Sequence, residues 1–267
     1  MKLEQTLAKI SARPKSSAPA LMTHAVLGYP NMKESADVVR AMADSGASLI
    51  ELQIPFSDPM ADGPTIMAAN EAALKSGATV NECFKIAEKL VREVSTPLIF
   101  MSYFNILFRH QGGVKGFCRH AAEIGIQAMI VPDVPPEEHK DAYWSEAAKC
   151  GVLPIPVVAP VSTPDRLKAL KKVTRGGFVY CVSTTGTTGA RKELPVDLGK
   201  YLQNVRKEFN LPLAVGFGIS SPKQVRQLQG HAEIAIVGSA MIDAMTGGTA
   251  KERLGKVSKF TASLARG

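Results

Sequence analysis

Hydrophobic positions along the chain fall into two alternating patterns. Short apolar runs predict strands over Ala20–Leu27, Ser48–Ile54, Leu98–Met101, Ala128–Val131, Leu153–Val158, Phe178–Val182, Leu213–Gly216 and Ile234–Val237. Longer stretches between them carry the helical period. In Glu82–Val94, Phe84, Ala87, Val91 and Val94 share one face while Lys85, Lys89 and Arg92 point elsewhere. A recurring junction of helix, glycine and strand occurs at Asp44-Ser45-Gly46, Glu123-Ile124-Gly125 and Lys149-Cys150-Gly151. Glycine suits the left-handed position that ends a helix, so each junction turns the chain back into a strand. Further helices are predicted near the two ends, over Leu3–Ala12 and Lys251–Leu264.

Strands alternating with helices, without a Pro- or Ser-rich linker, predict parallel pairing and an α/β fold. The expected architecture is a (β/α)8 TIM barrel forming a single domain over residues 1–267, with additional helices at the N-terminus and after strand two. The second addition follows from spacing, since about fifty residues run from the start of strand two to the start of strand three, more than the ~30 of a βαβ unit. A doubly wound open sheet is the alternative. It normally carries G-x-G-x-x-G after its first strand, where this chain reads Leu27-Gly28-Tyr29-Pro30.

Composition narrows the class. At 45% hydrophobic and 21% charged, the 267 residues are too apolar for a disordered chain, and four cysteines are too few for a disulfide scaffold. Cys83, Cys118, Cys150 and Cys181 form no C-x-x-C pair, so buried or half-buried free thiols are expected. The charge-free runs Val94–Phe108 and Gly151–Pro164 fall short of the ~20 apolar residues of a spanning helix. The opening MKLEQTLAKISARPK has no apolar core of signal-peptide length, and a cytoplasmic location is expected. A net charge of +8 allows an anionic partner without identifying one. The basic residues of Arg166–Arg175 and Lys251–Lys259 sit at helical spacing without interleaved aromatics, as on a solvated helix face.

In a barrel of this kind the chemistry sits in the loops after the strands. Strand two places Ile50, Leu52 and Ile54 on one face and Leu49, Glu51 and Gln53 on the other. The continuous apolar face suits the helix ring, which turns Glu51 toward the barrel interior. Two roles fit an interior glutamate: a structural ion pair, or proton transfer by a carboxyl group stripped of hydration. The following loop, Pro55-Phe56-Ser57-Asp58-Pro59-Met60-Ala61-Asp62-Gly63-Pro64, favours the second, because its prolines would hold Asp62 near the mouth. Asp58 reads as a turn-capping residue. Glycine-rich segments follow strands six, seven and eight: Ser183–Arg191, Gly216–Ser220 and Gly238–Ala240. Their backbone N–H groups suit an anion, and the last two loops are the usual phosphate position of the fold. No Walker spacing is present, and histidines 24, 110, 120, 139 and 231 form no metal motif, reading as solvated or satisfied core residues.

Those residues together resemble one family, the tryptophan synthase alpha subunit. The most specific segment runs from Glu51-Leu52-Gln53-Ile54-Pro55-Phe56-Ser57-Asp58-Pro59 through Met60-Ala61-Asp62-Gly63-Pro64-Thr65-Ile66. Supporting segments are Leu27–Pro30, Tyr103–Asn105, Val131–Pro135, Thr188–Ala190, Gly216–Ser220 and Val237–Ala240. The resemblance implies a lyase that cleaves indole-3-glycerol phosphate to indole and glyceraldehyde 3-phosphate. It implies Glu51 as general acid and base and Asp62 as the carboxylate facing the indole N–H. Tyr180, Met101, Phe217 and Thr188 would line the substrate, and Gly189, Gly218, Gly238 and Ser239 would hold its phosphate. No cofactor is implied in this chain. A pyridoxal-phosphate-dependent beta subunit is the implied partner, in an alpha2beta2 heterotetramer, touching Pro55–Asp58 and the segments near Asn105 and Pro132. Residues 185–192 resemble the family's lid. Two positions depart: Gln53 stands where the family usually has glycine, with an amide able to bond Glu51, and Thr184 where many members have arginine. Another phosphate-binding barrel enzyme shares the glycine loops but leaves Glu51 and Asp62 unexplained. A non-catalytic activator of a partner is the third reading.

Overall fold

The computed structural model describes residues 2–138, 140, 142–182, 197–216 and 218–267. Among these, the strands are β1 (Ala20–Val26), β2 (Leu49–Gln53), β3 (Leu98–Met101), β4 (Ala128–Ile130), β5 (Leu153–Ile155), β6 (Val157–Val158), β7 (Val179–Val182), β8 (Leu213–Gly216) and β9 (Ile234–Val237). The helices are α1 (Leu3–Ser11), α2 (Ser35–Asp44), α3 (Pro64–Lys75), α4 (Val80–Glu93), α5 (Phe104–Arg109) and α6 (Gly113–Glu123). They continue with α7 (Tyr143–Lys149), α8 (Pro164–Val173), α9 (Leu198–Glu208), α10 (Pro222–Gln227), α11 (Ser239–Ala244) and α12 (Ala250–Ala265). None of them is long and apolar enough to cross a membrane.

All pairings are parallel, in the order β5-β4-β3-β2-β1-β9-β8-β7-β6. The two ends of that order are consecutive in sequence, so the sheet closes on itself. The fifth predicted strand is split at Pro156, which has no N–H to give to a ladder. β5 pairs with β4 and β6 with β7, while the Pro156 carbonyl still accepts from Tyr180 N–H at 2.9 Å. Nine short strands therefore make the eight-membered barrel expected from the pattern.

Two apolar cores follow from the pleat. Ile50, Leu52 and Ile54 join the helices in the outer core. Ala20, Met22, Leu49, Ile99, Ala128, Ile155, Phe178, Ala214 and Ile234 fill the barrel. Leu3, Leu7 and Ile10 of α1 belong to that inner cluster, so the N-terminal helix plugs one end of the barrel. The long interval after β2 holds two helices, α3 and α4. Gly46, Gly125 and Gly151, at the three helix-to-strand junctions, all have positive φ, between 79° and 103°. All four cysteines are free, three of them buried.

Candidate active site

Apolar side chains fill the barrel from the α1 plug upward and give way to polar ones at the C-terminal ends of β1 and β2. His24 and Glu51 are register partners there, as are Val26 and Gln53. The inner face of β2 is Leu49, Glu51, Gln53, and that of β1 runs Ala20, Met22, His24, so both turn from apolar to polar along the strand. His24, Glu51, Gln53 and Asp62 are at most 4% exposed.

Asp62 arrives from the loop after β2, and the loop is held stiffly. Asp62 N–H donates to the Pro59 carbonyl at 2.9 Å, and Phe56 N–H to Asn70 Oδ1 at 2.9 Å. Asn70 is itself fixed by its amide on the Ile66 carbonyl, one turn back in α3, at 2.8 Å. Pro64 starts α3 directly after the loop, where a missing N–H costs nothing. Asp62 Oδ2 accepts from Gln53 Nε2 at 2.7 Å and from Tyr103 Oη at 2.9 Å. The Tyr103 ring stacks on Phe56 at 5.3 Å, and its oxygen also accepts from Ala61 N–H at 3.1 Å.

Glu51 faces His24, with Oε1 at 3.3 Å from Nδ1. Among the described residues, Glu51 Oε2, His24 Nε2 and Gln53 Oε1 are buried without a hydrogen-bond partner. Unpaired buried polar atoms are costly, and three at the barrel mouth mark a place that a ligand or proton shift completes. Burial pushes the Asp62 carboxyl above its ordinary value, against the pull of the Gln53 amide, the His24 charge and the Tyr103 hydroxyl. Burial opposes the His24 imidazolium, but the Glu51 charge and hydrogen bond, with the Asp62 charge behind them, raise its pKa overall. Tyr180, half-buried on β7, is held protonated by burial and by the charges of Glu51 and Asp62.

Of the residues singled out from the sequence, Glu51, Asp62 and Tyr180 come together at this end. Met101 opposes Gln53 in register, is 5% exposed and faces the inner core. Gly238 closes β9 beside β1, where a Cβ would stand 3.9 Å from His24 Cβ, and buried Ser239 follows it. Gly218, φ +64°, follows β8. Thr188, Gly189, Phe217, Thr184 and the lid segment 185–192 lie outside the described residues.

Three side chains of the site were not read from the sequence. His24 is no solvated or fully satisfied core histidine: it faces the carboxylates, and the alternation of Ala20, Met22 and His24 could have placed it there. Tyr103 and Asn70 reach the site only through folding, and no local pattern marks them. Gln53 also differs from expectation, because its N–H goes to Asp62 rather than Glu51. The two share a strand face one pleat repeat apart, whereas the loop brings Asp62 directly over the amide.

A parallel barrel with a buried carboxyl pair, a histidine and two tyrosines at the C-terminal strand ends has the architecture of the (β/α)8 enzymes, whose sites lie at that end. The sequence profile described as Tryptophan synthase alpha chain matches residues 10–265. The tryptophan synthase alpha chain of Syntrophotalea carbinolica is 44% identical over 228 residues, covering 85% of this chain and 88% of that protein. The Petrotoga mobilis alpha chain is 37% identical over 260 residues, covering 97% and 99%. Among solved structures, Mycobacterium tuberculosis tryptophan synthase superposes with a TM-score of 0.88 at 33% identity, covering 99% of this chain and 96% of that one. The Pyrococcus furiosus alpha subunit gives 0.82 at 32% identity, covering 92% and 97%. The chain belongs to the tryptophan synthase alpha chain family.

Proposed function

We propose that this chain, a lyase in the alpha-subunit role of tryptophan biosynthesis, cleaves indole-3-glycerol phosphate through Glu51 and Asp62. The observation that carries the assignment is the pairing of these two carboxyl groups at the barrel mouth, each buried and each held by a side chain from a neighbouring element. Cleavage begins with a proton delivered to the indole ring carbon that bears the side chain. Positive charge then develops at the ring nitrogen, and Asp62 accepts a hydrogen bond from that N–H. Its Oδ2 is already committed to Gln53 and Tyr103, which leaves Oδ1 for the substrate. Removal of the side-chain hydroxyl proton forms the aldehyde, the carbon–carbon bond breaks, and its electrons return to the ring. Glu51 serves both transfers as acid and base, and its unpartnered Oε2 is the atom available to the substrate.

In this reading Tyr180 and Met101 flank the indole with Phe217 and Thr188, and the backbone of Gly189, Gly218, Gly238 and Ser239 binds the phosphate. The partner is a beta subunit, in an alpha2beta2 assembly in the cytoplasm, which carries pyridoxal phosphate and consumes the indole. Support for a docking face comes from Met60, 78% exposed in the loop after β2, and Phe108, 51% exposed on α5 beside Asn105. The test is indole release from indole-3-glycerol phosphate by the purified chain, alone and with a beta subunit. Slow turnover alone and clear acceleration with the partner are expected. Glu51→Gln should lower kcat by at least about a hundredfold, within the usual range for an acid–base group, with phosphate-ligand affinity nearly intact. Activity of the variant at the parent level sinks the assignment.

A further inference from the structure

His24 and Gln53 are buried beside the two carboxyl groups, and neither touches the substrate in the chemistry above. The direction of the Gln53 amide is fixed by its neighbour. Asp62 Oδ2 accepts its N–H at 2.7 Å, so the amide nitrogen faces Asp62 and Oε1 is left needing a donor. Among the described residues, Oε1 has no donor and His24 Nε2 has no acceptor, although both atoms are buried. They belong to side chains on adjacent strands pointing into the same barrel, two residues apart in register. At the other edge of the ring, Nδ1 lies 3.3 Å from Glu51 Oε1.

We propose that His24 stores the proton that Glu51 delivers, and that Gln53 keeps the imidazole in the form able to do so. In the charged form Nε2–H turns to Gln53 Oε1, joining the two atoms that stand unpaired, and the second ring proton sits on Nδ1 against Glu51. With the proton resting on Nδ1 and the charge on Glu51, the Nδ1–H bond breaks, its electron pair stays on nitrogen and an O–H bond forms on Glu51, which passes that proton to the ring carbon and is a carboxylate again. The neutral imidazole retains Nε2–H for Gln53. When Glu51 takes the substrate hydroxyl proton, the Nδ1 position refills by the reverse step, so one turnover balances. His24 and Gln53 act through Glu51 and Asp62 and are positioning residues. The groups acting on the imidazole are Glu51 and Gln53 on β2 and Asp62 in the loop beyond it. The carboxylates favour its charge, and the unpaired Gln53 Oε1 offers its Nε2–H an acceptor.

The inference rests on the proposed lyase reading, and the experiment separates the two. Nitrogen-15 NMR of the imidazoles in the full chain needs no substrate. His24 should carry protons on both ring nitrogens at pH 7 and titrate above an ordinary histidine. In Gln53→Met the midpoint should fall by about one pH unit, a typical effect of one lost hydrogen bond. A second arm follows indole release by His24→Asn between pH 6 and 9. Its kcat should fall roughly tenfold or more between pH 6 and 7, where the parent imidazole holds the stored proton, and the gap to the parent should narrow toward pH 9, with KM changed less than about twofold. A single ring proton on His24 at pH 7 overturns the proposal, whether or not either variant folds. So does an equal loss of kcat at all pH values, the mark of a purely structural histidine. No indole release by the unsubstituted chain, alone or with a beta subunit, counts against the lyase reading instead.

Discussion

Tyr103 fixes Asp62 from two sides. Its hydroxyl donates to the carboxylate and accepts from the backbone N–H one residue earlier, so ring and loop move together. Tyr103→Phe leaves the stacking on Phe56 in place and removes both bonds. The expected result is a fall in kcat/KM of about tenfold, the worth of one hydrogen bond to a charged group, with little change in thermal midpoint. Kinetics of indole release check this, and an unchanged kcat/KM means that Gln53 alone positions the carboxylate. At this scale the sequence was readable where a residue's direction is set by its own strand. Glu51 turns inward because Ile50, Leu52 and Ile54 must face the helices, and His24 obeys the same alternation on β1. Tyr103 meets Asp62 across 41 residues and Asn70 meets Phe56 across 14, through the turns between α3, β3 and the loop, and no period in the sequence encodes such a meeting.

Elements were legible where a single face is buried. α4 was expected over Glu82–Val94 and spans Val80–Glu93, beginning at Thr79, whose side chain accepts from Glu82 N–H and caps the helix. β3, β8 and β9 have the expected limits. The fifth strand was expected unbroken, and its break at Pro156 follows from one missing donor. α1 was recognised as a helix, but its position at the barrel floor depends on the far ends of many strands. That plug carries a testable load. Leu7 is 6% exposed within the inner cluster, and Leu7→Ala should cost about 2–4 kcal/mol of unfolding free energy. The variant should retain its kcat, because the plug and the polar mouth are at opposite ends of the barrel. Urea unfolding and steady-state rates measure the two effects, and stability within about 0.5 kcal/mol of the parent shows that α1 does not seal the core.

At the scale of the whole molecule the buried thiols make a pH prediction. Burial pushes Cys83, Cys118 and Cys181 up to about 12 each, from an ordinary thiol value of 9.0. Their folded values lie above their unfolded ones, so the stability they contribute is complete below pH 9 and is lost as pH rises toward 12. Each should cost roughly 1.4 kcal/mol per pH unit in that interval. Urea midpoints at pH 8 and pH 10.5 test this, and replacing the three cysteines by alanine should flatten the difference. A difference that survives the triple replacement assigns the alkaline loss to other groups.

The alternation of strands and helices, the inward turn of Glu51, the stiffness of the loop carrying Asp62 and the family are all written in the order of residues. Each of these is a local property, set by side-chain period, backbone restriction or a run of residues read in order. That Gln53 serves Asp62, that His24 stands against Glu51, and that Tyr103 and Asn70 hold the loop emerge only when the chain folds. Closing eight strand positions into a ring puts side chains from separate strands and loops within hydrogen-bond reach, and burial then makes each unpaired atom count.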